Sequence, residues 1–209
     1  ARDIYEILAE KPAETLAPDE KAFIVRRFFD ANWDNIIRKY PRYWELLQKR
    51  GTAGWEEQME AVLSRFAAQV YRDLQVWFHL AWLDPDFLRD DPEMARLVAK
   101  GRAFTEEEKQ WVLGRYREIL AQVVSLYRNL MESGQIEVIT APYYHPILPL
   151  LLDTQWARIA SPSLALPQHR YQQPDDVVAQ LELAVEAYWQ RFGRNPRGLW
   201  PPEQAVGQG

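Results

Sequence analysis

The chain has 209 residues, of which 47% are hydrophobic, 26% charged and 13% aromatic. This composition is typical of a globular domain with its own core, and it excludes intrinsic disorder and collagen-like repeats. The formal net charge is -5 and no block of basic residues occurs, so the clustered Lys and Arg that nucleic-acid binding requires are missing. The absence of cysteine excludes disulfides, a thiolate nucleophile and cysteine-based metal sites.

The longest apolar stretch, residues 147–152, contains a proline and is far shorter than the ~20 residues of a membrane span. We therefore expect no membrane partner, take the cytoplasm as the default compartment, and leave the oligomeric state open. The chain starts at Ala1 and stops a few residues after a dense motif at 198–203. This arrangement leads us to expect a portion of a larger protein.

Helical periodicity dominates the first 133 residues. Apolar residues at steps of three and four predict helices over 18–40, 43–51 and 55–83. Asp91-Pro92 predicts the start of a helix that ends at Gly101, and Thr105 with Glu108 forms a capping box before a helix that ends near residue 133. The predicted inward stripe of this last helix is Val112, Tyr116, Ile119, Val123, Tyr127 and Leu130.

The pattern changes after residue 133. Residues 135–140 are short and β-branched, which predicts a strand, and residues 197–200 predict a second one. Between them lies a predicted helix over 174–192. Strand, helix and strand in this order form a βαβ crossover, the unit of parallel sheets and barrels. The predicted inward stripe of the helix is Val178, Leu181, Val185, Tyr188 and Phe192.

The expected fold class is therefore α/β and helix-rich. We treat residues 1–209 as a single segment, in which 1–133 is mainly helical and 134–209 is the strand-helix-strand part that carries the site motifs. The preferred architecture is two strands of a barrel wall preceded by a large helical segment.

Active sites in βα architectures gather at the carboxyl ends of the strands. Tyr143 and His145 follow the first predicted strand, and Trp200 and Glu203 end or follow the second. A carboxylate on a loop stiffened by two prolines and close to a tryptophan resembles a glycosidase carboxylate beside a sugar-stacking platform. The alternative is that Glu203 is an ordinary solvated loop glutamate. His145 is a candidate to bind substrate or to cap the following turn.

Glu137 is an unusual carboxylate because it lies within a predicted strand. Alternation places it on one face with Gln135 and Ile139. A charge in a barrel strand is costly unless it is paired or functional, so Glu137 is either on the ligand side or one partner of an ion pair.

The sequence favours neither a metal site nor a cofactor. The three histidines have no His-x-x-x-His or Glu-x-x-His spacing, and His79 is interpreted as a structural helix residue. No Gly-rich phosphate loop, Gly-x-Ser-x-Gly elbow or dinucleotide fingerprint occurs.

Two motifs resemble conserved regions of glycoside hydrolase family 57. Residues 133–138 (Ser-Gly-Gln-Ile-Glu-Val) with 140–150 are similar to the second region of the family. Residues 192–193 (Phe-Gly) with 196–203 (Pro-Arg-Gly-Leu-Trp-Pro-Pro-Glu) are similar to its third region, in which the glutamate is the nucleophile. The helical residues 28–43 are similar to uncharacterised bacterial members.

The resemblance implies a (β/α)7 barrel, a TIM-like fold, and a retaining mechanism on α-glucans. The family includes α-amylases, amylopullulanases, glucanotransferases and branching enzymes. Glu203 matches the nucleophile, and Trp200, Glu137, His145 and Tyr143 would line the sugar site. The first, fourth and fifth regions have no match here, and the fourth carries the aspartate acid. The chain therefore resembles a middle fragment of the catalytic barrel, inactive in isolation.

Two other interpretations remain open. The first is a carbohydrate-binding or helical interaction domain that keeps the fold without catalysis. The second is a purely structural helical module in which the barrel motifs occur by coincidence. The sequence does not choose among hydrolysis, transfer and branching.

Overall fold

The computed structural model describes residues 3–207, and these divide into two compact units at Ala121 and Gln122. We call residues 3–121 unit 1 and residues 122–207 unit 2. Helices make up most of both units.

Unit 1 consists of short and medium helices joined by tight turns. They are α1 (Ile4–Glu10), α2 (Pro18–Arg27), α3 (Pro41–Arg50), α4 (Met59–Ser64), α5 (Ala68–Leu80), α6 (Pro85–Asp90), α7 (Pro92–Lys100) and the first part of α8 (Glu106–Glu132). Short 3-10 turns cover Ala13–Thr15, Ile37–Lys39 and Glu56–Gln58.

Several helix ends confirm the capping signals in the sequence. The Asp91 carboxylate accepts hydrogen bonds from the backbone N–H groups of Glu93 and Met94 at the start of α7, and Gly101 ends this helix in the left-handed conformation. Thr105 and Glu108 cap α8 reciprocally, with the Glu108 N–H donating to the Thr105 hydroxyl at 3.1 Å and the Thr105 N–H donating to the Glu108 carboxylate at 2.8 Å.

Two helices predicted by periodicity are shorter than expected. The helix predicted over 18–40 ends at Arg27, and the two residues that follow, Phe28 and Phe29, are both buried outside a helix. The Phe28 carbonyl accepts a hydrogen bond from the Tyr43 hydroxyl at 2.5 Å instead of continuing the helix. The helix predicted over 55–83 is interrupted between α4 and α5, where buried Phe66 packs against the ring of Tyr71.

Aromatic rings pack against one another in the core of unit 1. The Phe28 and Phe78 rings stack with centroids 4.5 Å apart, and Trp77 packs against Tyr40 at 4.7 Å. The Trp77 indole N–H donates to the Gly101 carbonyl at 2.8 Å, which links α5 to the end of α7. Burial of rings of this size dominates the stability of such cores.

Two buried charges of unit 1, Asp73 and Lys109, are paired. Asp73 is 1% exposed and accepts hydrogen bonds from Arg42 Nη2 at 2.8 Å and from Gln69 at 2.9 Å. Lys109 is fully buried and donates to Glu106 at 2.8 Å and to the Lys11 carbonyl at 2.7 Å. Such partners offset the desolvation cost of burying these two charges.

Glu106 connects this pair to a further cation, Arg72, at 2.7 Å. Burial alone would raise the pKa of Glu106, but the hydrogen bonds from Arg72 and Lys109 outweigh it and lower the pKa of this carboxyl. Glu106 is therefore held ionised between two cations.

Unit 2 contains the second part of α8 and the helices α9 (Leu148–Leu152), α10 (Ala157–Ala160) and α11 (Pro174–Phe192), with 3-10 turns at Thr154–Trp156 and Pro202–Gln204. The end of α8 near residue 133 and the bounds of α11 agree with the sequence prediction. The predicted inward stripes do not fully agree, because Val123 and Tyr127 of α8 and Val178 and Val185 of α11 are exposed. Ala184 and Tyr188 form the buried side of α11.

Neither predicted strand forms among residues 3–207. Residues 135–140 and 197–200 are connected by a single parallel bridge between Thr140 and Leu199. The Thr140 N–H donates to the Gly198 carbonyl at 3.1 Å, and the Trp200 N–H donates to the Thr140 carbonyl at 2.7 Å. The strand-helix-strand prediction for 134–209 is wrong in this respect, and a barrel is not seen.

The pairing stops at one bridge because Pro142 after it has no backbone N–H, and backbone groups before it have other partners. The Ile136 N–H donates to the Leu130 carbonyl at the end of α8, and the Val138 carbonyl accepts from the Tyr188 hydroxyl at 2.8 Å. The alternation is nevertheless as expected, since Glu137 and Ile139 are exposed while Ile136, Val138 and Thr140 are half-buried.

Among residues 3–207, no helix combines the length and the apolar character that would be needed to cross a membrane.

Candidate active site

The bridge sets the register of the two site motifs within unit 2. Because the paired segments are parallel, the residues that follow Thr140 and those that follow Leu199 lie toward the same end of the pair. Tyr143 and His145 are three and five positions past Thr140, and Glu203 is four positions past Leu199. All four predicted residues, Tyr143, His145, Trp200 and Glu203, thus follow the bridge in their segments, and Tyr143 lines a cavity of about 320 Å³ that the other three do not line.

The loop after Thr140 is held in place by α11. The Tyr143 N–H donates to the Gln180 carbonyl at 3.2 Å, and the Tyr144 N–H donates to the Gln180 side-chain oxygen at 2.8 Å. The Tyr143 and Tyr144 rings meet edge to face with centroids 4.8 Å apart, and both rings are exposed. Gln180 is a positioning residue that sequence reasoning missed. The sequence feature that could have identified it is a polar residue on the half-buried side of α11.

The loop after Leu199 presents Trp200 and Glu203 to solvent. The Trp200 side chain is 48% exposed, although its backbone N–H is part of the bridge. Glu203 lies in the 3-10 turn Pro202–Gln204 and is exposed, and no hydrogen bond or ion pair involving residues 3–207 reaches its carboxylate. An exposed carboxylate three residues after an exposed tryptophan has the chemistry to approach a sugar.

Backbone strain is concentrated in these two loops. Four non-glycine residues among 3–207 have a positive φ, and three of them are His145 at 58°, Glu203 at 54° and Gln204 at 55°. Each such residue costs of order 1 kcal/mol, and strained residues cluster at functional sites. The conformation of the Glu203 turn is therefore maintained by its surroundings rather than by its own preference.

One of these surroundings is an apolar cavity of about 240 Å³ beside the turn. Its wall includes Leu199, Pro201 and Trp156. Gly207 packs directly on Trp156, since a Cβ on this glycine would lie 2.7 Å from the indole ring. Pro202, between Pro201 and Glu203, is buried.

Glu137 lies elsewhere in unit 2. It precedes Thr140 by three residues and lines a cavity of about 320 Å³ together with Arg194 and Arg197. Glu203, Trp200, Tyr143 and His145 do not line this cavity. No ion pair to Glu137 occurs among the described residues, so the ion-pair interpretation finds no partner here. The two arginines of this cavity were not anticipated, although they flank the Asn195-Pro196 turn in the sequence.

The close approach of the two segments depends on Gly198. A Cβ at this position would lie 2.8 Å from Cγ2 of Ile139, closer than packed carbon atoms approach. Glycine is therefore required where the Pro-Arg-Gly-Leu-Trp motif crosses residue 139. Among residues 3–207, no group of three or more His, Asp or Glu side chains has the arrangement to hold a metal ion.

Comparison with known proteins identifies the family. The family model described as Glycosyl hydrolase family 57 matches residues 6–209, which includes both motifs and unit 1 from residue 6 onward. No curated protein and no solved structure matches the chain. Because the match extends over nearly all of the sequence, the chain belongs to glycosyl hydrolase family 57.

Proposed function

We propose that this chain is part of the catalytic domain of a retaining glycosidase or glucanotransferase that acts on α-glucans, with Glu203 as the nucleophile. The observation that carries the proposal is the family match over residues 6–209, which includes the motif ending at Glu203. The match supports a carbohydrate substrate and hydrolase or transferase chemistry. The assignment of the nucleophile and of α-glucan rests on the resemblance of residues 192–203 to the third conserved region.

The local geometry supports the role of Glu203. In a retaining mechanism one carboxylate attacks the anomeric carbon while a second, about 5–5.5 Å away, protonates the leaving oxygen. The attacking carboxylate must be ionised and accessible. Glu203 is exposed, free of ion pairs among residues 3–207, and presented on a strained turn.

The neighbouring side chains would bind the sugar. Trp200 and Tyr143 offer exposed ring faces on which a pyranose can stack, and His145 offers a ring nitrogen for a hydroxyl. The parallel bridge supports this grouping, because all three residues follow it in their segments, as Glu203 does. Glu137 is proposed for the same sugar site on strand alternation and family resemblance only, and its separate cavity makes it the first assignment to test.

The proposal places residues 1–209 as one segment within a (β/α)7 barrel. Leu199 of the bridge and Ile139 beside it are 42% and 44% exposed, as expected for segments whose neighbouring strands come from another part of a barrel. The aspartate acid would be supplied by that other part. An isolated chain of 209 residues is accordingly expected to lack glycosidase activity.

The test is a variant series in the protein that contains the complete barrel. Glu203→Gln keeps the shape of the side chain but cannot form the glycosyl-enzyme, so we expect kcat to fall by about 10³-fold or more while KM changes little. Glu182→Gln, on the exposed side of α11, is the matched control and should leave kcat unchanged. The kcat and KM of Glu137→Gln show whether Glu137 contacts the sugar or lies outside the site.

Near-normal turnover by folded Glu203→Gln would remove Glu203 from the mechanism. A kcat for Glu137→Gln equal to that of the Glu182→Gln control would remove Glu137 from the sugar site. Circular dichroism confirms that each variant is folded.

A non-catalytic carbohydrate-binding domain is the second candidate, and the exposed aromatic rings at 143, 144 and 200 favour it independently of catalysis. In that case Glu203→Gln would leave maltooligosaccharide binding unchanged and no turnover would be found in the complete protein. Turnover that depends on Glu203 excludes this candidate.

A further inference from the structure

Unit 1 contains a cavity that has no part in the site described above. It has a volume of about 600 Å³ and lies between the end of α2 and the end of α3. Charged residues dominate its wall: Arg26, Arg27, Asp30, Arg50 and Glu56. The aromatic residues of the wall are Phe29, Trp33 and Trp55. We call this space the arginine cavity.

Arg50 is the deepest charged group of the arginine cavity. Its side chain is 4% exposed, and its guanidinium carbon lies 4.5 Å from the ring centre of Trp55, 4.8 Å from that of Phe29 and 5.6 Å from that of Trp33. Aromatic faces stabilise a cation at such distances, because the ring quadrupole is negative above the plane. The three rings therefore fix the orientation of the guanidinium.

The hydrogen bonds of Arg50 are incomplete. A guanidinium carries five N–H groups. Nε donates to the Gly51 carbonyl at 3.1 Å and Nη1 donates to the Val25 carbonyl at a long 3.5 Å. Among residues 3–207 no acceptor is bonded to Nη2, and no carboxylate forms an ion pair with Arg50. Asp73 and Glu106, which pair Arg42 and Arg72, show how this unit otherwise satisfies a buried arginine.

The buried charge of Arg50 is thus only partly compensated. Burial lowers the pKa of its guanidinium, and the fields of Glu56 and Asp30 act against this. A guanidinium nevertheless stays charged in proteins, so it is suited to an oxyanion that accepts two parallel N–H groups.

The rim of the cavity adds further cations. Arg26 is exposed and has no hydrogen bond or ion pair among residues 3–207, while Arg27 reaches Asp30 at a long 3.3 Å. Three guanidinium groups therefore face one cavity whose two carboxylates do not neutralise them. The excess of one positive charge in a concave wall attracts an anion.

The two carboxylates restrict which anion fits. Asp30 and Glu56 repel a second negative charge but accept hydrogen bonds from hydroxyl groups. The volume of about 600 Å³ lies within the 300–1,000 Å³ range of small-molecule sites, and is larger than an isolated inorganic anion needs. A molecule with one oxyanion group and several hydroxyl groups matches both features.

We propose that the arginine cavity is a binding site for a small hydroxylated oxyanion, a sugar phosphate or a sugar acid, with the anionic group on Arg50 and the hydroxyl groups on Asp30 and Glu56. Arg26 strengthens the attraction from the rim. The half-buried Trp33 supplies an apolar wall, since its indole N–H is already bonded to the Phe29 carbonyl at 3.2 Å. The site is independent of Glu203 and of the proposed reaction.

Isothermal titration calorimetry on the 209-residue chain tests the proposal with four probes: glucose 6-phosphate, glucuronate, inorganic phosphate and glucose. We expect glucose 6-phosphate or glucuronate to bind at least about 10-fold more tightly than inorganic phosphate, and glucose not to bind. Whichever of glucose 6-phosphate and glucuronate binds more tightly shows whether the oxyanion is a phosphate or a carboxylate. Absence of binding by both, or equal binding of glucose, overturns the proposal.

Three variants locate the binding. Arg50→Lys replaces the planar guanidinium with an ammonium group, and the affinity for the tighter-binding sugar ligand should fall by about 10-fold or more. Arg26→Gln should weaken it by about three- to fivefold, because it removes an exposed charge. The control is Arg65→Gln, another exposed arginine of unit 1 without a partner among residues 3–207, which lies outside the cavity and should bind normally. Equal weakening by Arg26→Gln and Arg65→Gln would indicate non-specific charge attraction and contradict the site.

Asp30→Asn gives a result that a merely structural cluster would not. The substitution removes a negative charge that repels the anion and a carboxylate that accepts from the sugar hydroxyls. Inorganic phosphate should therefore bind more tightly, and the preference for the sugar ligand over phosphate should fall. Circular dichroism establishes which variants fold. If Arg50→Lys does not fold, Arg26→Gln and Asp30→Asn decide, and unchanged affinities in both overturn the proposal.

Discussion

Unit 1 and unit 2 are both mainly helical, yet they bury their apolar side chains to different extents. In unit 1 one continuous cluster extends from Leu8 to Leu113 and contains rings, aliphatic residues and paired charges. In unit 2, of the apolar residues other than proline, only Met131, Ala184 and Tyr188 are buried among those described. Most of the exposed large hydrophobic residues of the chain, such as Trp189 and Trp200, belong to unit 2.

This difference shows what helical periodicity can and cannot predict. Apolar positions spaced by three and four identify a helix in either unit. Whether the stripe becomes a core depends on the elements that cover it, and in unit 2 the described residues supply few of them. The same substitution is therefore expected to have different effects in the two units.

The largest difference is expected for tryptophan. Trp77 of unit 1 is 2% exposed and donates to the Gly101 carbonyl, so Trp77→Ala should lower the free energy of unfolding by about 3–5 kcal/mol. Trp189 of unit 2 is 55% exposed, and Trp189→Ala should cost less than about 1 kcal/mol. Urea unfolding followed by circular dichroism measures both. Equal losses would show that unit 2 has a core comparable to that of unit 1.

The second comparison concerns two aspartates, each of which accepts hydrogen bonds from an arginine. Asp73→Ala removes a 1% exposed carboxylate and leaves Arg42 unpaired on its buried side, so we expect a loss of about 3 kcal/mol. Asp153 of unit 2 pairs with Arg170, whose side chain is 55% exposed, and also caps the turn at Gln155. Asp153→Ala should cost only about 1 kcal/mol, because solvent screens the pair. If Asp153→Ala lowered the free energy of unfolding by more than Asp73→Ala does, the comparison would be reversed.

The third prediction tests the single bridge of unit 2. Gly198→Ala places a Cβ against Cγ2 of Ile139, a branched atom that cannot move away freely, and should cost about 1–3 kcal/mol. The control, Gly114→Ala in α8, meets no atom within 4 Å and should stabilise the chain by up to about 1 kcal/mol. Thermal unfolding measures both changes. Neutral behaviour of Gly198→Ala would mean that residues 139 and 198 do not pack as described.

The smallest expected effect is a dependence on pH in unit 1. Burial lowers the pKa of His79 from its ordinary value of 6.5, and this effect exceeds the opposing hydrogen bond between Nδ1 and the Gln75 carbonyl. The unfolded chain therefore binds the proton more readily than the folded chain. Stability from His79 is present above pH 6.5 and is lost as pH falls below it, with a slope of at most about 1.4 kcal/mol per pH unit.

The measurement compares the free energy of unfolding of the natural chain and of His79→Gln between pH 8 and pH 5. The variant should lose less stability than the natural chain over this interval, because it carries no proton-binding ring at position 79. Identical pH dependence in the two proteins would show that His79 does not contribute.

The candidate site likewise has a part that the sequence predicted and a part that depended on the fold. The motifs at 133–150 and 192–203 were sufficient to identify the family, since they depend on residue types and order that a sequence states directly. The assignment of Glu137 to the sugar site assumed two full strands. The structure forms one bridge instead, because Tyr188 bonds the Val138 carbonyl and the end of α8 bonds the Ile136 N–H. The place of Glu137 in the sugar site therefore stays a prediction.

What the sequence determined by itself is local or compositional. It specified the capping box at Thr105 and Glu108, the end of α7 at Gly101, the bounds of α8 and α11, and the family. These features follow from backbone chemistry within a few residues or from a motif, so no distant contact is needed to find them.

Only the tertiary structure decided where helices break and what surrounds a charge. After α2 ends at Arg27, the Phe28 carbonyl is bonded by the Tyr43 hydroxyl, a contact across 15 residues that periodicity does not record. The cage around Arg50 brings together rings from positions 29, 33 and 55. Packing free energy depends on contacts between residues far apart in the chain, and it outweighs the weak local preference that periodicity records.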